Sequence, residues 1–180
     1  MNNNTALLVI DSQVGVIEPA YKAKEVLDNI NVLLAQARAS HTPVIYMQHD
    51  GPQGDGLEVG SPYWAIHPAI TPHEGELIVH KRASDSFYDT ILKRELEAQG
   101  IKHLVVVGGS TEMCVDTTIR RATVEGYDVT LVSDAHTTQD YEQEVLTAAQ
   151  RIAQLNHVVD GFGTETHIIT VTPTSEVTLS

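Results

Sequence analysis

The chain holds a single cysteine, Cys114, so it can form no internal disulfide. A lone thiol of this kind fits a reducing compartment. Basic residues are scarce: 11 Lys and Arg stand against 24 Asp and Glu, a formal net charge of -13. A surface of that sign repels phosphate backbones and anionic headgroups, which argues against nucleic acid and membrane partners. No apolar run approaches the roughly 20 residues that span a bilayer, and Ala6 to Ile10 is far too short. The opening Met1-Asn2-Asn3-Asn4-Thr5 lacks the basic region of a secretory signal. Neither G-x-G-x-x-G nor G-x-x-x-x-G-K-[ST] occurs, so a nucleotide- or flavin-binding module, with Gly108-Gly109-Ser110-Thr111 as its phosphate cradle, is only a remote alternative. These absences lead to the expectation of a cytoplasmic protein that acts on a small molecule without a cofactor.

What is present reads as one domain over residues 1–180. The hydrophobic fraction of 42% and charged fraction of 19% are those of a folded globular chain. Six short apolar runs recur, at Ala6–Ile10, Val44–Gln48, Leu77–His80, Leu104–Val107, Val129–Val132 and His167–Thr170. They do not alternate with polar residues, as expected of strands covered on both faces. Helix-periodic segments lie between them. One carries Val26, Leu27, Ile30, Leu33, Leu34 and Ala37 on a stripe. A second, Thr90 to Gln99, turns Ile91, Leu92 and Leu96 inward and stops at Gly100. A third starts near Thr111 with Val115, Ile119 and Ala122, and a fourth carries Val145, Leu146, Ala149, Ile152 and Leu155. Such alternation predicts an open α/β sheet with helices on both sides. The segment from Asp50 to Glu76 breaks the rhythm with Pro52, Pro62, Pro68 and Pro72 and reads as a structured binding excursion. The tail from Val171 to Ser180 reads as polar and loosely held.

Three residues stand out by position. Asp11 directly follows the first run, and Lys81 the third. Cys114 falls in the first turn of the helix after the fourth. All three therefore lie at the carboxyl edge of the sheet, where open α/β folds bind ligands in the crevice at which strand order reverses. With strand order 3-2-1-4-5-6 that crevice separates strands 1 and 4, which sets Asp11 beside Cys114. A thiol attacks as the thiolate, favoured by a helix N-terminus and a nearby ammonium. Asp11 can take the thiol proton and return it to a leaving amine or alcohol, while Lys81 holds Asp11 ionised. Taken singly, each has an ordinary structural role: a small buried hydrophobe, a turn residue, a solvated cation. Their coincidence on one edge is what points to catalysis.

The segments Leu7-Leu8-Val9-Ile10-Asp11-Ser12-Gln13, Glu76-Leu77-Ile78-Val79-His80-Lys81-Arg82 and Val107 through Ala122, followed by Gly126-Tyr127-Asp128-Val129 and Val132-Ser133-Asp134-Ala135, resemble the isochorismatase-like cysteine hydrolases. That superfamily includes nicotinamidases and N-carbamoylsarcosine amidohydrolase. The resemblance implies a three-layer α/β/α sandwich on a six-stranded parallel sheet, with Asp11, Lys81 and Cys114 as a catalytic triad. It implies a cis peptide joining Gly109 to Ser110, an oxyanion hole from the Ser110 and Cys114 amides, and a covalent Cys adduct. It also implies a homodimer or homotetramer with the excursion near an interface. Nicotinamidases hold a metal through an Asp-x-His pair and a further His. The corresponding stretch here is Met47-Gln48-His49-Asp50-Gly51-Pro52, and His67 and His73 lack partners, so no metal is expected.

The function expected is a metal-independent cysteine hydrolase that cleaves a C–N bond of a small amide-like substrate. The alternative is a vinyl-ether hydrolase of the isochorismatase type. His49, Tyr63, Trp64, Phe87 and Met113 are candidates for the pocket walls. Glu112 is expected at the helix N-terminus, and Arg120 and Arg121 in ion pairs on the helix.

Overall fold

The structure, a computed structural model, describes residues 4–142 and 145–179. The first five apolar runs lie within strands β1 (Thr5–Ile10), β2 (Val44–His49), β3 (Leu77–Lys81), β4 (His103–Gly109) and β5 (Asp128–Thr137), while the sixth strand, β6 (Ile169–Thr172), begins two residues later than the run at His167. All pair in parallel in the order β3-β2-β1-β4-β5-β6. The central strand β1 is paired on both sides, with Leu7 opposite Val44 of β2 and Val105 of β4.

Alternate residues of β1 serve opposite faces. Ala6, Leu8 and Ile10 join one buried cluster under helices α3 (Leu92–Ala98), α4 (Asp116–Val124) and α5 (Ala148–Val159), whereas Leu7 and Val9 join another under α2 (Ala23–Ser40). A short helix α1 (Val14–Ile17) closes the β1 crossover. Helices on both faces explain why the strands read as continuous apolar runs, and each fully buried Leu or Ile contributes roughly 1.5–3 kcal/mol. The whole predicted stripe of α2, from Val26 to Ala37, is buried.

Four expectations need correction. Helix α3 begins at Leu92, so Ile91 sits at its cap and is exposed while Leu92 and Leu96 turn inward. The segment after β4 does not start as an α-helix: Thr111–Val115 is a wide, π-helical turn, and α4 begins only at Asp116. In the fourth helix, Thr147 accepts from the Gln150 amide and Gln150 reaches back, a capping box that starts α5 at Ala148. Val145 and Leu146 lie outside it and are exposed, and its buried side is Ala148, Arg151, Leu155 and Val159. The tail is held: Thr174–Glu176 forms a turn, Thr174 donates to Asp134 Oδ1, and Val177 and Leu179 are buried in the α2-side cluster. Ser180 lies outside the described residues.

The excursion from 50 to 76 is seated on the loop that follows β1. Val14 donates to Ala65 O at 2.9 Å, Gly15 to Tyr63 O at 2.8 Å, and His67 to Ser12 O at 2.9 Å. The buried Gln13 binds it further, with its amide donating to Trp64 O at 2.8 Å and His49 O at 3.0 Å, and its oxygen accepting from the His49 amide at 2.8 Å. Among the described residues no helix is long and apolar enough to cross a membrane.

Candidate active site

Three strand ends meet at the carboxyl edge. At the end of β1 the chain turns sharply, and Asp11 adopts φ +41°, a left-handed conformation that Asp tolerates better than most residues. Its amide donates to Met47 O of β2 at 3.0 Å, which fixes the carboxyl over the sheet edge. Lys81 is the last residue of β3. Strand β4 reaches the same level through Gly108, where φ is +117° and any β-carbon would collide with the carbonyl of Ile10; only glycine lets the strands close here. The Gly109–Ser110 peptide is cis. The Ser110 carbonyl then accepts from the amides of Met113 and Val115 at 3.1 and 3.2 Å, winding the turn that presents Cys114.

The side chains of Asp11, Lys81 and Cys114 converge. Lys81 Nζ lies 2.7 Å from Asp11 Oδ2 and 3.3 Å from Cys114 Sγ. It also donates to Ala83 O at 2.8 Å and stands 3.4 Å from His49 Nδ1. An ammonium has three protons, so the two short contacts use two of them and the third is shared between sulfur and imidazole. Asp11 and Lys81 are buried, and Cys114 is partly so.

Burial sets the charge states. It raises the Asp11 carboxyl above its ordinary range, with the Lys81 ammonium acting in the opposite sense. The Cys114 thiol is pushed up to about 12, first by burial and then by the Asp11 charge, and Lys81 offsets only part of this. The sequence-based expectation of a thiolate favoured by ammonium and helix terminus is therefore reversed. Desolvation and the neighbouring Asp11 charge thus favour the protonated thiol at Cys114. The His49 imidazole is held below its ordinary value by burial and by Lys81, hence neutral near pH 7.

The pocket-wall candidates divide. His49 belongs to the cluster and lines a hollow of 490 Å³ with Pro52, Val59 and Arg82. Met113 is exposed one residue before the thiol. Trp64 is tied up in structure: its Nε1 donates to Asp50 Oδ1 at 2.9 Å and its ring stacks on His80. Phe87 packs on Tyr127 and the α3–α4 side of the core. Tyr63 lies at a different hollow, of 460 Å³, with Val14, Gly15 and Leu57. Glu112 stands in the first turn of the segment after β4, as expected, but its hydrogen bonds go to other elements. It accepts from Arg151 Nη1 at 2.9 Å and Thr138 Oγ1 at 3.0 Å, because β5 and α5 bring those donors alongside. Arg120 pairs with Asp116 at 2.6 Å, and Arg121 with Glu125.

Sequence reasoning passed over Gln13, His136 and Arg151. Gln13 carried a signal in its place two residues after Asp11; the other two become meaningful only once β5 and α5 are docked.

Asp11, His49 and Cys114 offer donor atoms within 4.8 Å of one another, a set that could hold a metal ion. Lys81 Nζ contacts all three, so a divalent ion there would have to displace that ammonium.

Comparison with known proteins is consistent with this geometry. The family model described as the isochorismatase domain matches residues 5–161. A streptothricin hydrolase of Streptomyces noursei is 39% identical over 138 residues, 75% of this chain and 50% of that protein, so the chain spans about half the length of that relative. A secreted isochorismatase effector of Verticillium dahliae is 34% identical over 89% of this chain and 86% of its own length. A ureidoacrylate amidohydrolase of Klebsiella pneumoniae is 29% identical over 64% of this chain and 66% of that protein. The crystal structure of a cysteine hydrolase from Pseudomonas syringae superposes with a TM-score of 0.86 at 26% identity, covering 98% of this chain and 91% of that one.

Proposed function

Since the chain belongs to the isochorismatase family, we propose that it is a cysteine hydrolase that cleaves a C–N bond of a small amide-like substrate through a covalent adduct on Cys114, with no metal required. The observation that carries this reading is the contact of Lys81 Nζ with both Asp11 Oδ2 and Cys114 Sγ. A similar reaction class is named for the ureidoacrylate amidohydrolase relative.

In the first half-reaction Cys114 Sγ attacks the substrate carbonyl carbon as its proton passes to Asp11. The carbonyl oxygen becomes an oxyanion, met by the backbone amides of Ser110 and Cys114. Collapse of the tetrahedral adduct breaks the C–N bond, and Asp11 returns the proton to the leaving nitrogen. The products are an amine and a thioester. In the second half-reaction Asp11 takes a proton from water, the hydroxide adds to the thioester carbon, and the C–S bond breaks. The proton returns to sulfur and a carboxylic acid leaves. Lys81 stays charged throughout and opposes negative charge on Asp11 and on sulfur. Burial raises the Asp11 pKa, which makes its carboxylate a stronger base for this duty.

The test is a hydrolysis screen over small amides, ureides and vinyl ethers, run beside Cys114→Ala. Turnover of an amide or ureide is expected, lost in the alanine variant with the circular dichroism unchanged, and iodoacetamide should inactivate the native chain. Activity retained by Cys114→Ala would overturn the reading. Release of pyruvate from isochorismate would shift it to vinyl-ether cleavage, in which the thiol is secondary.

A further inference from the structure

His136 plays no part in the chemistry above, yet it is sealed near the end of β5, in register with Gly108 of β4. Both ring nitrogens are engaged at 2.9 Å, Nδ1 with Thr111 Oγ1 and Nε2 with Asn156 Oδ1. The proton positions follow from Asn156. Its Nδ2 donates to the Ser133 carbonyl at 3.0 Å, so the amide oxygen faces His136 and can only accept. Nε2 therefore carries the proton. Burial holds this imidazole down to about 4, so the ring is neutral near pH 7 and Nδ1 is a bare acceptor. The Thr111 hydroxyl must then be the donor. One directed chain of hydrogen bonds runs from Thr111 through His136 and Asn156 to the backbone of β5.

Thr111 opens the π-helical turn, and Cys114 stands three residues later in it. Such turns are rare and recur at functional sites. This one is fastened from outside at two successive residues. Thr111 is held by His136, and Glu112 by Thr138 and by Arg151, which also donates to Gln139 O at 2.6 Å. The fastening matters because the sulfur is useful only within reach of Asp11 and Lys81, and a displacement of about 1 Å at a reacting atom can cost a hundredfold in rate.

We propose that His136 is a positioning residue for Cys114: by accepting from Thr111 it holds the turn so that Sγ stays against Asp11 and Lys81. It touches neither sulfur nor substrate and acts through the turn. The proposal rests on the reading of Cys114 as nucleophile.

The test compares Thr111→Val, which removes the hydroxyl and keeps the shape, with Thr111→Ser, which keeps the hydroxyl, and His136→Leu with His136→Gln, whose amide offers one acceptor and one donor. Iodoacetamide alkylation of Cys114 is followed by mass spectrometry between about pH 6 and 10 on variants verified as folded by circular dichroism. In the native chain the rate should climb through pH 9 without levelling. In Thr111→Val the released sulfur should behave as an ordinary thiol, with a midpoint near ~8.5 and alkylation at pH 7 faster by about tenfold or more. Thr111→Ser and His136→Gln should keep the native profile. General loosening of the fold would slow or speed all variants without this division. A Thr111→Val profile superimposable on the native one overturns the proposal. So does a Thr111→Ser profile shifted as far as that of valine, because the methyl group rather than the hydroxyl would then be at work. Should His136→Leu fail to fold, the threonine pair decides alone. Failure of the nucleophile reading looks different: Cys114→Ala would keep its hydrolytic activity whatever the alkylation profiles, and the positioning role would fall with it.

Discussion

Lys81 Nζ lies 2.7 Å from Asp11 Oδ2, with both side chains almost wholly sealed from solvent. Neither charge is tolerable there without the other, because removing one partner of a buried pair leaves an uncompensated ion. Lys81→Met should therefore lower the free energy of unfolding by about 3–5 kcal/mol, and adding Asp11→Leu should restore much of it. Urea denaturation of both variants is the check. A single variant as stable as the native chain would show that the carboxyl is already neutral.

Asp11 raises the thiol pKa by its charge while serving as its proposed base. These roles pull apart in Asp11→Asn. The lost negative charge should let the thiolate form at lower pH, so alkylation at pH 7 quickens. Turnover should fall at least about a hundredfold for want of a proton acceptor. Iodoacetamide kinetics and the hydrolysis assay measure the two effects on one sample, and parallel loss of both would contradict the assignment.

Gln13 makes three hydrogen bonds that staple the excursion to β2. Gln13→Leu keeps the bulk, strands the His49 amide and leaves the Trp64 carbonyl with Gln48 as its remaining donor, which should cost about 1–3 kcal/mol. Limited proteolysis should then cut faster between residues 51 and 75, with cleavage elsewhere unchanged.

The neutral His136 also sets a pH dependence. Its folded pKa, about 4, lies below the ordinary histidine value of 6.5. Between those values the unfolded chain binds the proton and the folded one does not, so stability falls as pH drops from 6.5 to 4. The expected loss is about 3 kcal/mol from this residue. His136→Gln should flatten that part of the curve in urea unfolding at successive pH values, and an unchanged slope would argue that the ring is charged.

The sheet was legible in the sequence because strands covered on both faces leave an unmistakable apolar run, and the crossover order then carried Asp11, Lys81 and Cys114 to one edge. What escaped had other causes. The Thr147–Gln150 capping box was in plain sight, but the apolar pair Val145 and Leu146 masked the true start of α5. The buried tail was missed because Val177 and Leu179 sit among polar neighbours. Residues Ser133 to Thr137 are too polar to read as strand, yet β5 runs through them because β4 offers a partner as far as Gly109. Electrostatics misled most: the ammonium beside Cys114 was expected to acidify it, whereas desolvation and Asp11 outweigh Lys81.

Strand β1 takes its second neighbour from far along the chain, for Thr5 is paired with His103 of β4. A ribosome adding about 5–20 residues per second needs several seconds to reach that partner. Throughout that wait Leu7 to Ile10 presents a greasy, half-zipped edge to the cell. An apolar edge left waiting for its partner is prone to wrong pairing, so recovery from denaturant should be best in dilute solution, where such edges seldom meet.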